Sequence, residues 1–341
     1  MDGSCRRCRN ITCGNSLRDE TYYNQGVIKM RHLNIGYLST MYHTSHIIKK
    51  EGWVEKSLKI KPEWKLFPTG PAMVEAFAAT NIDIGYIGLP PAMIGMEKGI
   101  PIKCIAGGHV EGTVMIAPDN YQSFNELHNI DQVLKQFKGK NLGTPTRGSI
   151  HDVIIRNLID KQKENIDIKN FSWADLIPEA FDNGEIAGAV GTPPLAVVCA
   201  QECGTKITIT PHKLWPYNPS YGIVVRKECF TEKPLLEEFL KLHEHACNLI
   251  RENPLEAASI ISDAVKVVDS SFVIKVFQIS PKYCASLPKT YIDSTMKFVA
   301  VLNQLGYIKN DLAKEDIFDL STIQKIHPET DHYSNPGNLF T

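Results

Sequence analysis

From residue 33 onward the chain alternates short apolar runs with stretches whose apolar residues recur at helical spacing. Leu33-Asn34-Ile35-Gly36-Tyr37-Leu38 reads as a strand. The polar turn Ser39-Thr40-Met41-Tyr42-His43-Thr44 follows, and Ile47, Ile48 and Val54 continue as a helix. A second strand over residues 64–67 leads through Pro68-Thr69-Gly70-Pro71 into a helix carrying Met73, Val74, Ala76 and Phe77. Asp83-Ile84-Gly85-Tyr86 is a third strand, followed by Gly88-Leu89-Pro90-Pro91, a helix over 92–98 and a strand over 102–106. Residues 107–112 are expected to turn the chain into a strand over 113–117. This β-α-β-α-β-α-β order predicts a mostly parallel sheet whose binding edge lies at the carboxyl ends of its strands.

The same grammar returns in the second half. Residues 124–138 predict a charged helical connection, 142–144 a strand, Pro145-Thr146-Arg147-Gly148-Ser149 a turn and 151–161 a helix. A strand over 166–171, a helix over 176–181 and a strand over 207–209 complete it. Gly188-Ala189-Val190-Gly191-Thr192-Pro193-Pro194-Leu195 repeats the pattern of Gly85-Tyr86-Ile87-Gly88-Leu89-Pro90-Pro91-Ala92, with Gly88 and Gly191 standing 103 residues apart. Asn34-Ile35-Gly36 and Asn141-Leu142-Gly143 form a second pair at a similar spacing. Two αβ halves of one architecture imply two lobes with a ligand cleft between them. Residues 215–221 are too rich in proline for a core strand, and 222–226 form the return strand. Amphipathic helices are then expected over 235–252, 255–264, 271–279 and 291–305, with a loose polar tail from His327.

Composition narrows the choice of partners. The 341 residues suffice for two domains, and 43% hydrophobic with 22% charged residues is ordinary for a globular chain. A formal net charge of -1 supplies no field for nucleic acid or an anionic membrane, so neither is an expected partner. No window approaches a membrane span. Residues 1–29 carry Arg6, Arg7, Arg9, Arg18, Asp19 and Glu20 without the apolar region of an export signal or a lipobox, so the chain as written is expected to be cytoplasmic. An extracytoplasmic location follows if the start lies elsewhere or export is non-standard, since Met30 immediately precedes the first strand. Residues 1–29 are expected to be a disordered tail. Nine scattered cysteines argue for reduced thiols, and Cys5, Cys8 and Cys13 offer three thiols without a fourth ligand, so no metal site is expected.

The polar turn after the first strand, the Asp83-Ile84-Gly85-Tyr86 strand before Gly-x-Pro-Pro and the Gly139-Lys140-Asn141-Leu142-Gly143 entry to the second half resemble the type II periplasmic binding proteins. So do the return strand and the helical C-terminal segment. The resemblance is to the alkanesulfonate, nitrate and thiamin-pyrimidine binding group, over about residues 30–310. It implies an α/β, two-lobed fold, each lobe a mostly parallel sheet flanked by helices. Lobe one would be 30–116 plus 223–341 and lobe two 117–222, with hinges near Ala117 and Gly222. It also implies a monomer that binds a small organic anion such as a sulfonate, carboxylate or phosphorylated or heteroaromatic compound. No cofactor is implied, and an ABC transporter permease is the partner if the protein is exported. The alternative is an enzyme on the same scaffold, like the thiamin-pyrimidine synthase or the dehydratases of a menaquinone route. Tyr42-His43 resembles the synthase's Tyr-His, whereas its Cys-Cys-Cys-Phe-Cys signature is absent here and Gly88-Leu89-Pro90-Pro91 stands at its cofactor-lysine segment.

Candidate ligand-binding residues follow from the strand ends. Ser39, Thr40, Tyr42, His43 and Thr44 come from the first turn, and Gly70, Gly88, Leu89 and Pro90 from the next two. The second half offers Thr144, Arg147, Gly148, Ser149, His151, Gly191, Thr192 and Pro193. Free N–H groups and positive dipole ends at these helix starts suit an anion, with Arg147 and His151 adding positive charge. Trp215, Tyr217 and Tyr221 can stack on a planar ligand. His109 and Glu111 join from the glycine-rich turn, and His43 or His109 is the candidate acid-base group, because imidazole exchanges protons near neutral pH.

Overall fold

The computed structural model describes residues 32–334. Its strands are β1 (Asn34–Leu38), β2 (Glu63–Phe67), β3 (Ile84–Ile87), β4 (Ile102–Val110), β5 (Val114–Pro118), β6 (Asn141–Pro145), β7 (Asp167–Phe171), β8 (Gly188–Gly191), β9 (Thr205–Ile209) and β10 (Pro219–Arg226). They form two five-stranded sheets, ordered β2-β1-β3-β10-β4 and β7-β6-β8-β5-β9. In each, the first three strands run parallel and the fourth runs antiparallel to both neighbours. β3 and β8 are buried along their whole length, as strands covered by helices on both faces must be.

The repeat seen in the sequence is a repeat of register. Ile35 pairs with Ile84 and Gly36 with Gly85 in one sheet; Leu142 pairs with Gly188 and Gly143 with Ala189 in the other. That register makes Thr192, rather than Gly191, the counterpart of Gly88 in the second half, one residue away from the alignment of the glycines. Both are helix caps: Gly88 precedes the Leu89–Glu97 helix and Thr192 the Pro193–Glu202 helix. Proline in the first turn fits because its fixed φ is already helical.

The antiparallel strands are exchanged between the halves. β5 follows β4 in the chain and sits in the second sheet, and β10 follows β9 and sits in the first. Val114, Met115 and Ile116, expected in lobe one, pair with β8 and β9. Pro219, Tyr221 and Gly222, expected in lobe two, pair with β3 and β4. The first crossing is therefore residues 111–113, with Glu111 at φ +62°, and the second lies just ahead of Pro219. The expected turn at Gly107-Gly108-His109-Val110 is strand instead. A Cβ on Gly108 would lie 2.2 Å from the Tyr221 ring, and one on Gly107 would lie 2.1 Å from the Tyr333 hydroxyl, so these glycines admit rings against β4 rather than bending it. The 124–138 connection is two short helices, Phe124–Leu127 and Ile130–Lys135, broken where His128 takes φ +52°.

The Lys233–Glu252 helix shows why the C-terminal segment belongs with the first sheet. Leu235, Leu236, Phe239, Leu240, His243, Cys247 and Ile250 recur at helical spacing and are all buried. One end of that sheet is locked by Asp83, whose carboxylate accepts from Asn34 N at 2.8 Å and from Asn34 Nδ2 at 3.0 Å and pairs with Arg226 at 2.5 Å, joining β1, β3 and β10.

Candidate functional site

Four helices begin at one cavity between the sheets: Gly70–Ala78, Leu89–Glu97, Ile150–Gln162 and Pro193–Glu202. The first half supplies Leu38, Ser39, Thr40, Tyr42, His43, Pro68, Thr69, Gly70, Gly88 and Pro91. The second supplies Pro145, Ser149, Ile150, His151, Ala174 and Thr192, and Ser220 lies on the crossing strand. The free volume there is about 60 Å³. It adjoins a mouth of about 420 Å³ that shares Ser39, Thr40, Ala174 and Thr192. The lobes thus meet around a narrow pocket that adjoins a space of ligand size.

The walls are polar without formal charge. Thr69, Ser149 and Thr192 cap their helices, accepting from the backbone N–H of Ala72, Asp152 and Leu195. His43 is buried, and desolvation together with His46, His109 and His243 holds its pKa well below the usual imidazole range. Desolvation likewise lowers His151 to about 4, and its Nδ1 lies 3.0 Å from Thr113 Oγ1 on the crossing. Both rings are therefore neutral at pH 7. Thr40 Oγ1 and His43 Nδ1 are buried without a hydrogen-bond partner. Unpaired buried polar atoms are expensive, and these two belong to residues that line the cavity.

The expectation of free N–H groups at every helix start needs correction. Proline has no N–H, so the Leu89–Glu97 helix has only Leu89 among its first three donors, and the Pro193–Glu202 helix has only Leu195, which Thr192 already caps. The Gly70 and Ile150 starts keep more donors, while all four contribute dipole ends. Arg147 is also elsewhere: it is exposed, with its guanidinium 5.6 Å from the centre of the Tyr307 ring. The mouth instead carries Asp175, Glu179, Asp182 and Glu202, and among the described residues lining cavity and mouth none is Lys or Arg.

Nine of the expected residues meet at the cavity: Ser39, Thr40, Tyr42, His43, Gly70, Gly88, Ser149, His151 and Thr192. Others stand behind them. Thr44 Oγ1 lies 3.2 Å from Tyr221 Oη and 2.9 Å from His243 Nδ1, and the Tyr221 ring lies 4.0 Å from that of His43. His109 packs 4.8 Å from Tyr42 and contacts Ser280 O through Nε2 at 2.8 Å, so it backs the wall rather than facing the cavity. Leu89, Pro90, Thr144, Gly191 and Pro193 are buried beside the lining residues but do not line the cavity, and Gly148 donates to Asp152 at 2.9 Å. Glu111 is tied to Lys282 at 2.8 Å and His212 at 3.0 Å at the crossing, where these partners hold its carboxyl below the usual range against desolvation. Trp215 stacks on Phe298 at 3.9 Å, and Tyr217 bonds Ser334.

The chain matches the NMT1-like family over residues 27–265. The chain belongs to the NMT1-like family. A relative from Bacillus subtilis (strain 168), named "Putative aliphatic sulfonates-binding protein", is 26% identical over 240 residues, which is 68% of this chain and 69% of the relative. The alkanesulfonate-binding protein SsuA from Xanthomonas axonopodis pv. citri, solved with MOPS bound, superposes with a TM-score of 0.72 at 14% identity, covering 85% of this chain and 99% of that one. The periplasmic nitrate-binding protein NrtA from Synechocystis PCC 6803 gives 0.71 at 12%, covering 91% of both. The two-lobed α/β fold expected from the sequence is thus the fold of this NMT1-like chain. Among its described residues no helix is long and apolar enough to cross a membrane.

Several lining residues of this family member escaped the sequence reading. Thr69 and Pro91 neighbour expected positions, so helix-start chemistry was signal enough to include them. Ala174 and Ser220 carried no such signal, because Ala174 opens a single 3₁₀ turn (Ala174–Leu176) and Ser220 reaches the cavity only through the exchange of β10.

Proposed function

We propose that the protein is a solute-binding protein whose lobes close on a small organic acid. The observation that carries this reading is the convergence of four helix starts from both lobes on one closed pocket lined by hydroxyls, with Thr40 Oγ1 and His43 Nδ1 buried and unpartnered. An anionic head such as a sulfonate is acceptor-rich and would take hydrogen bonds from Ser39, Thr40, His43 and Ser149 while lying at the positive dipole ends. The names of the relatives support sulfonate-like and nitrate-like heads. The mouth adds a condition on the tail: with Asp175, Glu179, Asp182 and Glu202 around it, a tail bearing an amine is favoured over an anionic one. The ligand class is therefore an aminoalkanesulfonate or a similar zwitterion, received in turn by an ABC transporter permease if the protein is exported. Calorimetric titration with aminoethanesulfonate, ethanesulfonate and ethylamine tests it. The zwitterion should bind one to one, ethanesulfonate more weakly and ethylamine not at all; tightest binding by ethylamine would overturn the reading.

One observation favours an enzyme on this scaffold. His43 is neutral, lines the cavity and has a free Nδ1, which is the state a general base needs. His43→Asn separates the two: loss of affinity alone belongs to a binding protein, whereas loss of turnover with intact binding belongs to an enzyme.

A further inference from the structure

Far along the chain from the cleft-lining residues, a second group of side chains converges behind β4. Glu244 comes from the Lys233–Glu252 helix, Cys284 from the loop laid along β4, and His327 and His332 from the C-terminal segment. Their donor atoms face a common centre. Cys284 Sγ lies 3.3 Å from His327 Nε2 and 3.8 Å from His332 Nδ1, and the two imidazole nitrogens are 3.4 Å apart. Glu244 Oε1 lies 3.8 Å from His327 Nε2 and 3.5 Å from His332 Nδ1.

These separations have a geometric meaning. A tetrahedral zinc ion with bonds of about 2.0–2.3 Å to nitrogen, oxygen and sulfur sets its ligand atoms roughly 3.3–3.6 Å apart. The five separations fall at or just beyond that range, and all four atoms lie within 4.8 Å of one another. Hydrogen bonding alone serves the cluster badly. Glu244 Oε1 is buried with no hydrogen-bond partner, and two ring nitrogens point at each other and at one sulfur. Arg251 lies 3.5 Å from the same oxygen, but its guanidinium is engaged by Tyr283 O and Asn248.

The surroundings suit a metal-bound sulfur. The backbone N–H groups of Ser286 and His332 both point at Cys284 Sγ from 3.5 Å, and Ser286 Oγ lies 3.1 Å away. Glu244 is oriented through its other oxygen, which accepts from Ala285 N at 2.8 Å, the kind of support that fixes a ligating carboxylate. We propose that Glu244, Cys284, His327 and His332 form a structural zinc(II) site that staples the C-terminal segment to the first lobe. One thiolate, two imidazoles and one carboxylate close the tetrahedron, leaving no position for catalysis. On binding, the Cys284 thiol releases its proton to solvent. The staple supports β4, because Gly107 N donates to Ala285 O at 2.8 Å and Cys284 N to Gly108 O at 3.1 Å, next to the His109 that backs the cleft wall.

Full-length protein stripped with a chelator and titrated with cobalt(II) tests the site. One equivalent should bind, with the visible bands of tetrahedral cobalt and a thiolate-to-cobalt charge-transfer band, and zinc(II) should displace it. Cys284→Ser should abolish the charge-transfer band. His332→Ala, which removes a partly exposed side chain and spares the core, should weaken zinc binding by at least about tenfold. A chain with Cys5, Cys8 and Cys13 all replaced by serine should keep the site. An octahedral spectrum, a charge-transfer band that survives Cys284→Ser, affinity unchanged in His332→Ala, or loss of binding in the triple variant would each overturn the proposal.

Discussion

Replacing Tyr307 by phenylalanine removes a single oxygen that ties the two lobes together. The Tyr307 hydroxyl donates to Asp152 Oδ2 in the Ile150–Gln162 helix of the second lobe, while the segment around Tyr307 is held to the first lobe by Lys309 N and Asn310 N, both donating to Glu97 Oε1 at 3.1 Å. The substitution is clean. Asp152 keeps Gly148 N, Arg156 Nε and Asn170 Nδ2 at 2.8–2.9 Å, so no carboxylate is orphaned, and the ring beneath Arg147 remains. A hydrogen bond to a charged group contributes about 1.5–3 kcal/mol, and partial exposure of Tyr307 argues for the lower end. About 1.5 kcal/mol shifts the ratio of closed to open lobes by roughly tenfold. Because only the closed form assembles the cavity, ligand affinity should weaken by up to about tenfold, mostly through faster dissociation. Calorimetry and stopped-flow dissociation of wild type and variant would measure it. An affinity within about twofold of wild type, with unchanged dissociation, would refute the claim that closure across this contact holds the ligand.

Three further outcomes are expected. His46, His109, His151 and His243 are each lowered to about 4 by burial; the unfolded chain therefore binds more protons than the native one below pH 6.5, and stability should fall as pH drops from 6.5 toward 4, by on the order of 3 kcal/mol per histidine. A melting temperature that is flat or rising over that acid range would contradict it. Gly108→Ala should destabilise by roughly 1–3 kcal/mol, seen as a drop of at least about 2 °C in melting temperature, because its Cβ would lie 2.2 Å from the Tyr221 ring. Thr40→Val removes the orphaned hydroxyl from the cavity wall, and should weaken ligand binding by about 1 kcal/mol while leaving thermal stability of the free protein unchanged or raised.

Much of this was legible in the chain because helix starts announce themselves locally. The two Gly-x-Pro-Pro units, the polar turn after β1 and Thr69-Gly70-Pro71 each encode a strand end and a cap within a few residues, and nine expected residues from such positions line the cavity. Depth was not legible. His109, Thr44 and Tyr221 carry cleft-like chemistry, but β10 inserts between β3 and β4, more than a hundred residues away in sequence, and turns them into a second layer. Trp215 was read as a ligand platform and is a stacked core ring, because Phe298 approaches it from a helix no local pattern connects to it. Arg147 follows a β-strand as other candidates do, yet its guanidinium lies over Tyr307, and the strand-end position alone does not tell which way a side chain leaves the turn. Of the cluster around Cys284, only His327 and His332, five residues apart, stand at a local metal-ligand spacing; Cys284 lies 43 and 48 residues before them, so no contiguous motif announced the site.

Hydrogen–deuterium exchange of the full-length protein, with and without a saturating amount of aminoethanesulfonate, tests the central claim most directly. Closure on a ligand between the lobes predicts new protection in both halves at once, at residues 39–43 and 70 of the first and 149–151 of the second. Protection confined to one lobe, or lying away from these helix starts, would contradict it.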